Sequence, residues 1–346
     1  MSPSKKGLGM SSVDFSWHIS KMKKAQDEIY SAHGVNDIFT SSKIFEILIA
    51  SALGHDLVPG QAGTADATDP ETHKKQFEYK HYKELSSNHS WTFNDFSDSV
   101  IAKIDSRIDS VFYCHVDDRK FPPFLDWYFE LTGPETAEYL SAKTPFITNS
   151  RKMINISQKQ ILEFFAKTPH VRRREIKKDS KQMFNGKYCQ ELESIFNSVN
   201  ELESALELKN LLTSSKLWEL VVAEKLGHHV NSEQGGRAGA HDAHDDKGNW
   251  YEYKVDISVG WSFQDISDAV LNKYSNLEAF ILAVVDKPNF EVKEIYRVET
   301  KALISIIRDK RDSKAADYKQ RGKEVRRSQV TFGKRELDLS NAQRIL

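Results

Sequence analysis

The chain has only two cysteines among its 346 residues, Cys114 and Cys189, and they do not form a CxxC motif. This argues against a disulfide framework and against a cysteine-based zinc site. No apolar run approaches the roughly 18 to 20 residues that a membrane helix needs, and the first residues lack the apolar stretch of a secretory signal. These absences predict a soluble, cytoplasmic protein without a membrane partner.

The chain also lacks an excess of charge of either sign. It has 49 Lys and Arg against 50 Asp and Glu, which gives a formal net charge of -1. Any surface for nucleic acid must therefore come from local basic patches. The length and the 39% of hydrophobic residues predict an ordinary folded protein of about two domains.

An internal duplication is the most informative feature of the sequence. The segment 40–46 (TSSKIFE) returns at 213–219 (TSSKLWE), and 91–100 (WTFNDFSDSV) matches 261–270 (WSFQDISDAV) with six identities. The period is much longer than the units of a solenoid. We therefore expect two copies of one domain.

The limits of the matching segments predict how the chain is divided. We expect a flexible N-terminal tail over 1–19, a first copy over 20–162, a charged linker over 163–189 and a second copy over 190–346.

Each copy has the same predicted order of helix, strand, strand, helix and strand. Ser41 and Ser214 are candidate N-caps of the first helix, which should end at Gly54 in one copy and at Gly227 in the other. Apolar runs of strand length follow at 111–117 and 280–286, as expected for buried strands. These patterns predict a mixed α/β fold.

Each copy carries Glu-Tyr-Lys in its predicted hairpin, at 78–80 and at 252–254. Because residues two apart on a strand share a face, Glu and Lys should point together while Tyr packs on the other side. Six Glu-x-Lys triplets occur in the chain, but only these two lie at matching places in the duplication. The alternative interpretation is an ordinary ion pair on a solvated strand.

An aspartate precedes each triplet. Asp66 comes twelve residues before the first glutamate, and Asp242 comes ten residues before the second. Converging carboxylates tolerate each other best around a divalent cation, and their hard oxygens suit Mg²⁺. Asp69 and Asp245 recur in the same way and are the alternative ligands. With a lysine beside them, these groups have the elements that phosphodiester hydrolysis requires.

This arrangement resembles the PD-(D/E)XK nuclease superfamily, best known from type II restriction endonucleases. The resemblance implies two tandem restriction-endonuclease-like domains, each a central mixed β-sheet flanked by helices, arranged as a pseudo-dimer. It also implies hydrolysis of double-stranded DNA with Mg²⁺, or with Mn²⁺ as a substitute, at one site per strand in a monomeric chain. One departure is that Ala65 or His241, and never proline, precedes the aspartate.

The resemblance assigns roles to individual residues. The implied catalytic residues are Asp66, Glu78, Lys80, Asp242, Glu252 and Lys254. The implied metal ligands are Asp66, Glu78, Asp242 and Glu252, with Glu46 and Glu219 as additional contacts. The candidate DNA-binding residues are Arg172, Arg173, Arg174, Arg237, Arg326 and Arg327, and the alternative for these basic stretches is a solvated surface.

Two further alternatives concern the histidines and the function. His228, His229, His241 and His244 cluster with Asp242, but the first copy has only His55 at a matching place, so contacts to phosphate or bases, or simple exposure, are favoured over a zinc site. For the function, the alternatives are a catalytically silent DNA-binding module of the same fold and a repair or recombination nuclease.

Overall fold

The computed structural model describes residues 14–35, 38–39, 43–59, 65–94, 96–147, 152–176, 187–212, 215–231, 241–322 and 328–346. The chain divides into two compact units, an N-terminal unit over 16–200 and a C-terminal unit over 201–346. Within the described ranges there are ten α-helices and two six-stranded mixed sheets, one sheet in each unit. The predicted α/β class is confirmed.

The first fourteen elements belong to the N-terminal part of the chain, and the last of them, α6, continues across the division at residue 200. They are α1 (Phe15–His33), α2 (Lys43–Leu53), β1 (Asp56–Leu57), β2 (Ala67–Thr68), β3 (Gln76–Lys83), β4 (Trp91–Phe93), α3 (Asp98–Arg107), β5 (Ser110–Asp117), β6 (Phe124–Thr132), α4 (Gly133–Lys143), β7 (Ile154–Ile156), α5 (Gln158–Phe164), β8 (Arg174–Glu175) and α6 (Cys189–Ala205). The strand order in the large sheet is β1-β2-β3-β5-β6-β8, and β3 and β5 are parallel. Strands β4 and β7 form a small antiparallel sheet.

The remaining elements lie in the C-terminal unit. They are α7 (Lys216–Leu226), β9 (His229–Val230), β10 (Ala243–His244), β11 (Trp250–Asp256), β12 (Trp261–Gln264), α8 (Asp268–Tyr274), β13 (Ala279–Asp286), β14 (Glu291–Glu299), α9 (Thr300–Gln320), β15 (Gln329–Phe332), α10 (Lys334–Leu339) and β16 (Gln343–Arg344). The large sheet has the order β16-β14-β13-β11-β10-β9, with β11 and β13 parallel. Strands β12 and β15 form the small sheet.

The central strands explain why the two copies fold alike. Strands β5 and β13 are buried along nearly their whole length, as expected for apolar strands covered on both faces. Each is parallel to the strand that carries Glu-Tyr-Lys, and the connection between them runs through a short strand and a helix. Parallel neighbours require such a crossover. The duplication in the sequence therefore corresponds to the same sheet topology in both units.

A tryptophan contact is repeated in the two units with the same geometry. The indole Nε1 of Trp91 donates to the carbonyl oxygen of Cys114 at 2.8 Å, and that of Trp261 donates to Ala283 at 2.9 Å. In both units, the strand pairing shifts register one residue beyond this carbonyl, at a β-bulge. Since a bulge disrupts the ladder locally, the indole supplies a hydrogen bond beside the irregularity.

The predicted first helices are present, with one change at their start. Gly54 (φ +72°) and Gly227 (φ +67°) follow the helices in the left-handed conformation that favours glycine. Ser215, and not the predicted Ser214, is the residue before α7. Ser41 and Ser214 lie outside the described residues. No helix in the described ranges combines the length and the apolar character needed to cross a membrane.

Two segments expected to be irregular contain regular structure. Helix α1 begins at Phe15, inside the expected tail over 1–19. Within the expected linker over 163–189, strand β8 pairs with β6 through Trp127 and Tyr128. The charged stretch before Lys177 is thus tied to the first sheet by backbone hydrogen bonds, which its charge pattern did not indicate.

Replacing Trp261 with Phe tests the tryptophan contact. The buried indole hydrogen bond would be lost and a small void left, so the free energy of unfolding of the C-terminal unit should fall by about 2 kcal/mol. Urea denaturation measures the change. Trp250→Phe is the control, because Trp250 is 37% exposed and should change stability by less than about 0.5 kcal/mol. Equal effects of the two variants would contradict this role of the indole.

Candidate active sites

The N-terminal site is built on strand β3. Glu78 and Lys80 lie on one face of this strand, and Lys80 Nζ donates to Glu78 Oε1 at 2.5 Å. The same ammonium group lies 5.0 Å from the ring centroid of Phe93. Both side chains of the pair are 22% exposed, so they remain reachable from solvent while most of their surface is covered.

Asp66 is brought to this strand by the β2–β3 hairpin. Its backbone N–H donates to the carbonyl oxygen of Phe77 at 2.9 Å, and its Oδ2 accepts the backbone N–H of Tyr79 at 2.8 Å. Burial, followed by the nearby charges of Glu78 and Glu46, raises the pKa of Asp66 to about 8. The hairpin therefore brings together an Asp and a Glu, two carboxylates whose like charges repel each other.

Helix α2 contributes the third carboxylate of the N-terminal site. Glu46 is close enough to Asp66 to raise the pKa of that carboxyl. Lys43, one turn earlier on the same helix, pairs with Glu46 at 2.7 Å. The predicted additional contact residue thus lies beside the predicted ligands.

The C-terminal site repeats these contacts. Lys254 Nζ donates to Glu252 Oε1 at 2.5 Å, and the backbone N–H of Tyr253 donates to Asp242 Oδ2 at 2.8 Å. Burial and then the charges of Glu219 and Glu252 raise the pKa of Asp242 to about 7. The structure therefore brings together every predicted catalytic residue of each copy, together with Glu46 or Glu219.

A helix lysine belongs to each site and was missed from the sequence. Lys216 pairs with Glu219 at 3.0 Å, and its ammonium lies 3.8 Å from Asp242 Oδ1. Lys43 makes the matching pair with Glu46. The signal was present, because both lysines belong to the repeated Thr-Ser-Ser-Lys segment. Their position became informative only when the helix was placed against the sheet.

His55 and His228 contact the tyrosine between Glu and Lys of each candidate site. In each unit, the histidine Nδ1 lies 2.7 Å from the hydroxyl of Tyr79 or Tyr253. Burial lowers the pKa of His228 and lowers that of His55 to about 4. Both histidines therefore hold the tyrosine on the sheet face opposite Glu and Lys.

The alternative aspartates shape turns. Asp69 accepts the backbone N–H groups of Thr72, Lys74 and Lys75 at 2.7 to 3.0 Å, and these bonds hold its pKa well below its ordinary value. Burial acts to raise the pKa of Asp245, but hydrogen bonds from Asn249 and Tyr251 outweigh it and lower the pKa to about 2. Asp66 and Asp242, not these two, lie beside Glu78 and Glu252.

The donor set suits a hard divalent cation. Each site offers only carboxylate oxygens, from Asp66, Glu78 and Glu46 or from Asp242, Glu252 and Glu219, and a cation would relieve the repulsion that raises the aspartate pKa. In the described part of the chain, no three His, Cys, Asp or Glu side chains are arranged so as to hold a metal ion. The glutamates instead hold lysine ammonium groups.

A third Glu-x-Lys pair shows what the same motif does on an open strand. Lys293 pairs with Glu291 at 2.5 Å and lies 3.4 Å from Asp286. Here the side chains of Lys293 and Glu291 are 45% and 58% exposed, and the pKa of Asp286 is lowered by hydrogen bonds from Asn289 and from Lys293. Ion pairing alone therefore does not distinguish the candidate sites. Burial of an aspartate against further carboxylates does.

The predicted DNA-binding arginines differ in their contacts and exposure. Arg174 pairs with Glu130 at 2.5 Å, and Arg173 pairs with Glu175 at 2.6 Å while its guanidinium lies 4.4 Å from the ring centroid of Trp127. Arg172 is exposed. Arg237, Arg326 and Arg327 lie outside the described residues. Two of the three described arginines are thus engaged with the first sheet.

Comparison with known proteins gives no assignment. No protein-family model matches the chain. No curated protein matches it significantly in sequence.

The raised pKa of Asp242 predicts a pH-dependent effect of Asp242→Asn. A carboxyl whose folded pKa is about 7 destabilises the fold increasingly as pH rises from about 4 to 7. Asparagine keeps the acceptor for Tyr253 and carries no charge. The variant's melting temperature, measured without divalent cations, should exceed that of the unmodified chain at pH 8, and the difference should shrink toward pH 4.

Asp286→Asn is the matched control, with the opposite sign. Because the pKa of Asp286 is lowered, its charge stabilises the fold above the unfolded pKa, and this variant should melt lower at pH 8. A melting difference for Asp242→Asn that stays constant from pH 4 to 8 would show that the carboxylate is not under electrostatic strain.

Proposed function

We propose that this protein is an endonuclease of the PD-(D/E)XK type that hydrolyses phosphodiester bonds of double-stranded DNA with Mg²⁺, most closely resembling a site-specific type II restriction endonuclease. One observation carries the proposal. A buried aspartate, held by a backbone N–H of the neighbouring strand, lies against a Glu–Lys pair in both units with nearly identical distances. Mn²⁺ is the expected substitute metal.

The carboxylates would hold the metal ion. In the N-terminal unit these are Asp66 and Glu78 with Glu46, and in the C-terminal unit Asp242 and Glu252 with Glu219. A bound Mg²⁺ supplies positive charge to the phosphoryl oxygens and lowers the pKa of water. The hairpin positions the two strand carboxylates before substrate arrives, since backbone hydrogen bonds fix the aspartate in place.

The lysines act as charged donors. Burial alone would lower the pKa of Lys80 and of Lys254, but the carboxylates of Glu78 and Asp66, and of Glu252 and Asp242, raise both above the ordinary value. An ammonium group that stays protonated at neutral pH orients the attacking water or stabilises charge on phosphate, and is a poor base. This favours the orienting role over deprotonation of water by the lysine.

Each unit would then have a restriction-endonuclease-like fold, and the two would act as a pseudo-dimer in one chain. In support, each unit has a central mixed sheet with the glutamate on a central strand, the aspartate just before the neighbouring strand, and a helix that supplies a third carboxylate. Cutting a duplex requires one reaction on each strand, and the chain has two sets of reactive groups. We infer one set per strand, in a monomer that acts on cytoplasmic DNA.

Single and double lysine variants test this division of labour. Lys80→Ala and Lys254→Ala should each convert supercoiled plasmid to the nicked form, because one site remains intact. The double variant should leave the plasmid supercoiled. Each substitution should slow its own strand's cleavage by at least about a hundredfold. Lys293→Ala is the matched control, because it removes an equally short ion pair from an exposed strand.

Linear product from either single variant at the unmodified rate would refute the assignment of one site to each strand. Loss of cleavage in Lys293→Ala would show that the effect of lysine removal is not specific to the buried sites. Gel electrophoresis of plasmid over time separates the supercoiled, nicked and linear forms.

Metal dependence separates the proposed enzyme from a binding-only module. The second reading has one observation in its favour, since each catalytic glutamate is already neutralised by a lysine. For an enzyme, phage DNA should give discrete fragments in Mg²⁺ or Mn²⁺, none in EDTA, and a mobility shift without cleavage in Ca²⁺. A shift in Ca²⁺ with no product in Mg²⁺ or Mn²⁺ would identify a silent module, and a smear would identify a nonspecific nuclease.

A further inference from the structure

A series of four aromatic rings runs from the core of the N-terminal unit to its surface. The rings of Trp127 and His115 are stacked at 5.0 Å, those of His115 and Tyr82 lie 5.1 Å apart, and those of Tyr82 and His89 are stacked at 5.6 Å and 20°. Trp127 and His115 are 4% exposed, Tyr82 is half-buried and His89 is exposed. The series therefore ends in a π-face that is open to solvent.

Glu84 fixes two of these rings. His115 Nε2 lies 2.9 Å from the carboxylate of Glu84, and His89 Nε2 donates to the backbone carbonyl oxygen of Glu84 at 2.9 Å. The backbone N–H of Glu84 in turn donates to Val116 on the central strand at 3.0 Å. The exposed ring is thus attached to the sheet and presents a preorganised face.

An open surface cavity of about 710 Å³ adjoins this ring face. Helix α5 and its flanks form the opposite wall. Leu162, which is 43% exposed, offers an apolar surface, and polar groups lie around it. The residues that matter here are Tyr82, His89, Gln158, Lys159, Leu162 and Glu163. A flat heteroaromatic ring with polar edges fits this combination of π-face, apolar wall, amide and charged groups.

One residue that lines the cavity, Tyr82, lies on the same strand as Glu78 and Lys80 of the candidate active site. Tyr82 follows Lys80 by two residues and therefore points to the same face of β3, about 7 Å further along the strand. Tyr82 and the Glu–Lys pair therefore lie on the same side of the sheet.

Among the described residues of the C-terminal unit, no matching ring pair lies beside the strand that carries Glu252 and Lys254. Asp256 stands at the strand position that corresponds to Tyr82, and Trp261 follows Lys254 by seven residues where Trp91 follows Lys80 by eleven. The extra residues in the first copy include His89. The two copies share the catalytic groups and differ beside them, as expected if one strand is read differently from the other.

We propose that His89 and the cavity between it and α5 hold one nucleobase of the bound DNA, taken out of the base stack. This rests on the proposed DNA substrate and goes beyond the proposed cleavage reaction. Stacking on an aromatic ring compensates for the lost stacking in DNA and tolerates any base, while Gln158 and Glu163 offer hydrogen bonds to its edge.

The test is the affinity of the full chain for a short single-stranded oligonucleotide, measured by fluorescence anisotropy in Ca²⁺. Removing a stacking ring should weaken binding about tenfold, so we expect that loss for His89→Ala and recovery of most of it for His89→Phe. Tyr30→Ala is the control, since it removes an exposed ring of the same unit that does not line the cavity. Unchanged affinity in His89→Ala, or an equal loss in Tyr30→Ala, would overturn the proposal.

Two further readouts separate this proposal from others. If His89→Ala weakens competition by a free mononucleotide but leaves oligonucleotide affinity unchanged, the assignment of the cavity to DNA is wrong. Plasmid cleavage in Mg²⁺ is measured separately. If the unmodified chain cleaves plasmid but His89→Ala does not change the affinity for the oligonucleotide, only the base-site proposal is refuted. If His89→Ala weakens the affinity tenfold but the unmodified chain cleaves nothing, only the nuclease proposal is refuted.

Discussion

The contact between a buried aspartate and the backbone of the neighbouring strand is the constraint on which both candidate sites depend. Asp66 and Asp242 each accept the N–H of the tyrosine that separates Glu and Lys in the candidate site. This one hydrogen bond fixes the carboxylate next to a second carboxylate, in a place where burial already disfavours charge. The lysine on the same strand face offsets part of that repulsion. The result is a buried aspartate whose charged form is disfavoured and which a nearby positive charge would stabilise.

The rest of each unit maintains this arrangement. The central strands are buried along their length, so the face bearing Glu and Lys cannot shift without exposing apolar residues. The His–Tyr contact on the opposite face fixes the same strand from behind, and the indole hydrogen bond stabilises the bulge in the next strand. The position of Glu and Lys on one face of the sheet is therefore fixed by contacts in which neither side chain takes part.

Differences between the copies lie around the shared groups. The four-ring series and its cavity belong to the first copy, where β3 continues into a longer loop that includes His89. The second copy has a shorter loop after Lys254. The divergence thus spares the acidic groups and the lysines and changes the residues beside them.

The sequence by itself determined the duplication, the α/β class, the helix ends at Gly54 and Gly227, and the set of acidic residues and lysines, because each follows from local periodicity, glycine conformation or side-chain chemistry. The tertiary structure decided which aspartates lie beside the glutamates, since Asp66 and Asp69 differ only in how a turn places them. It also decided the roles of Lys43, Lys216, His55 and His228, and it placed β8 in a sheet although the surrounding charges indicated a linker. These outcomes depend on contacts between residues distant in sequence. Such contacts are set by strand pairing and burial, and no local sequence pattern predicts them.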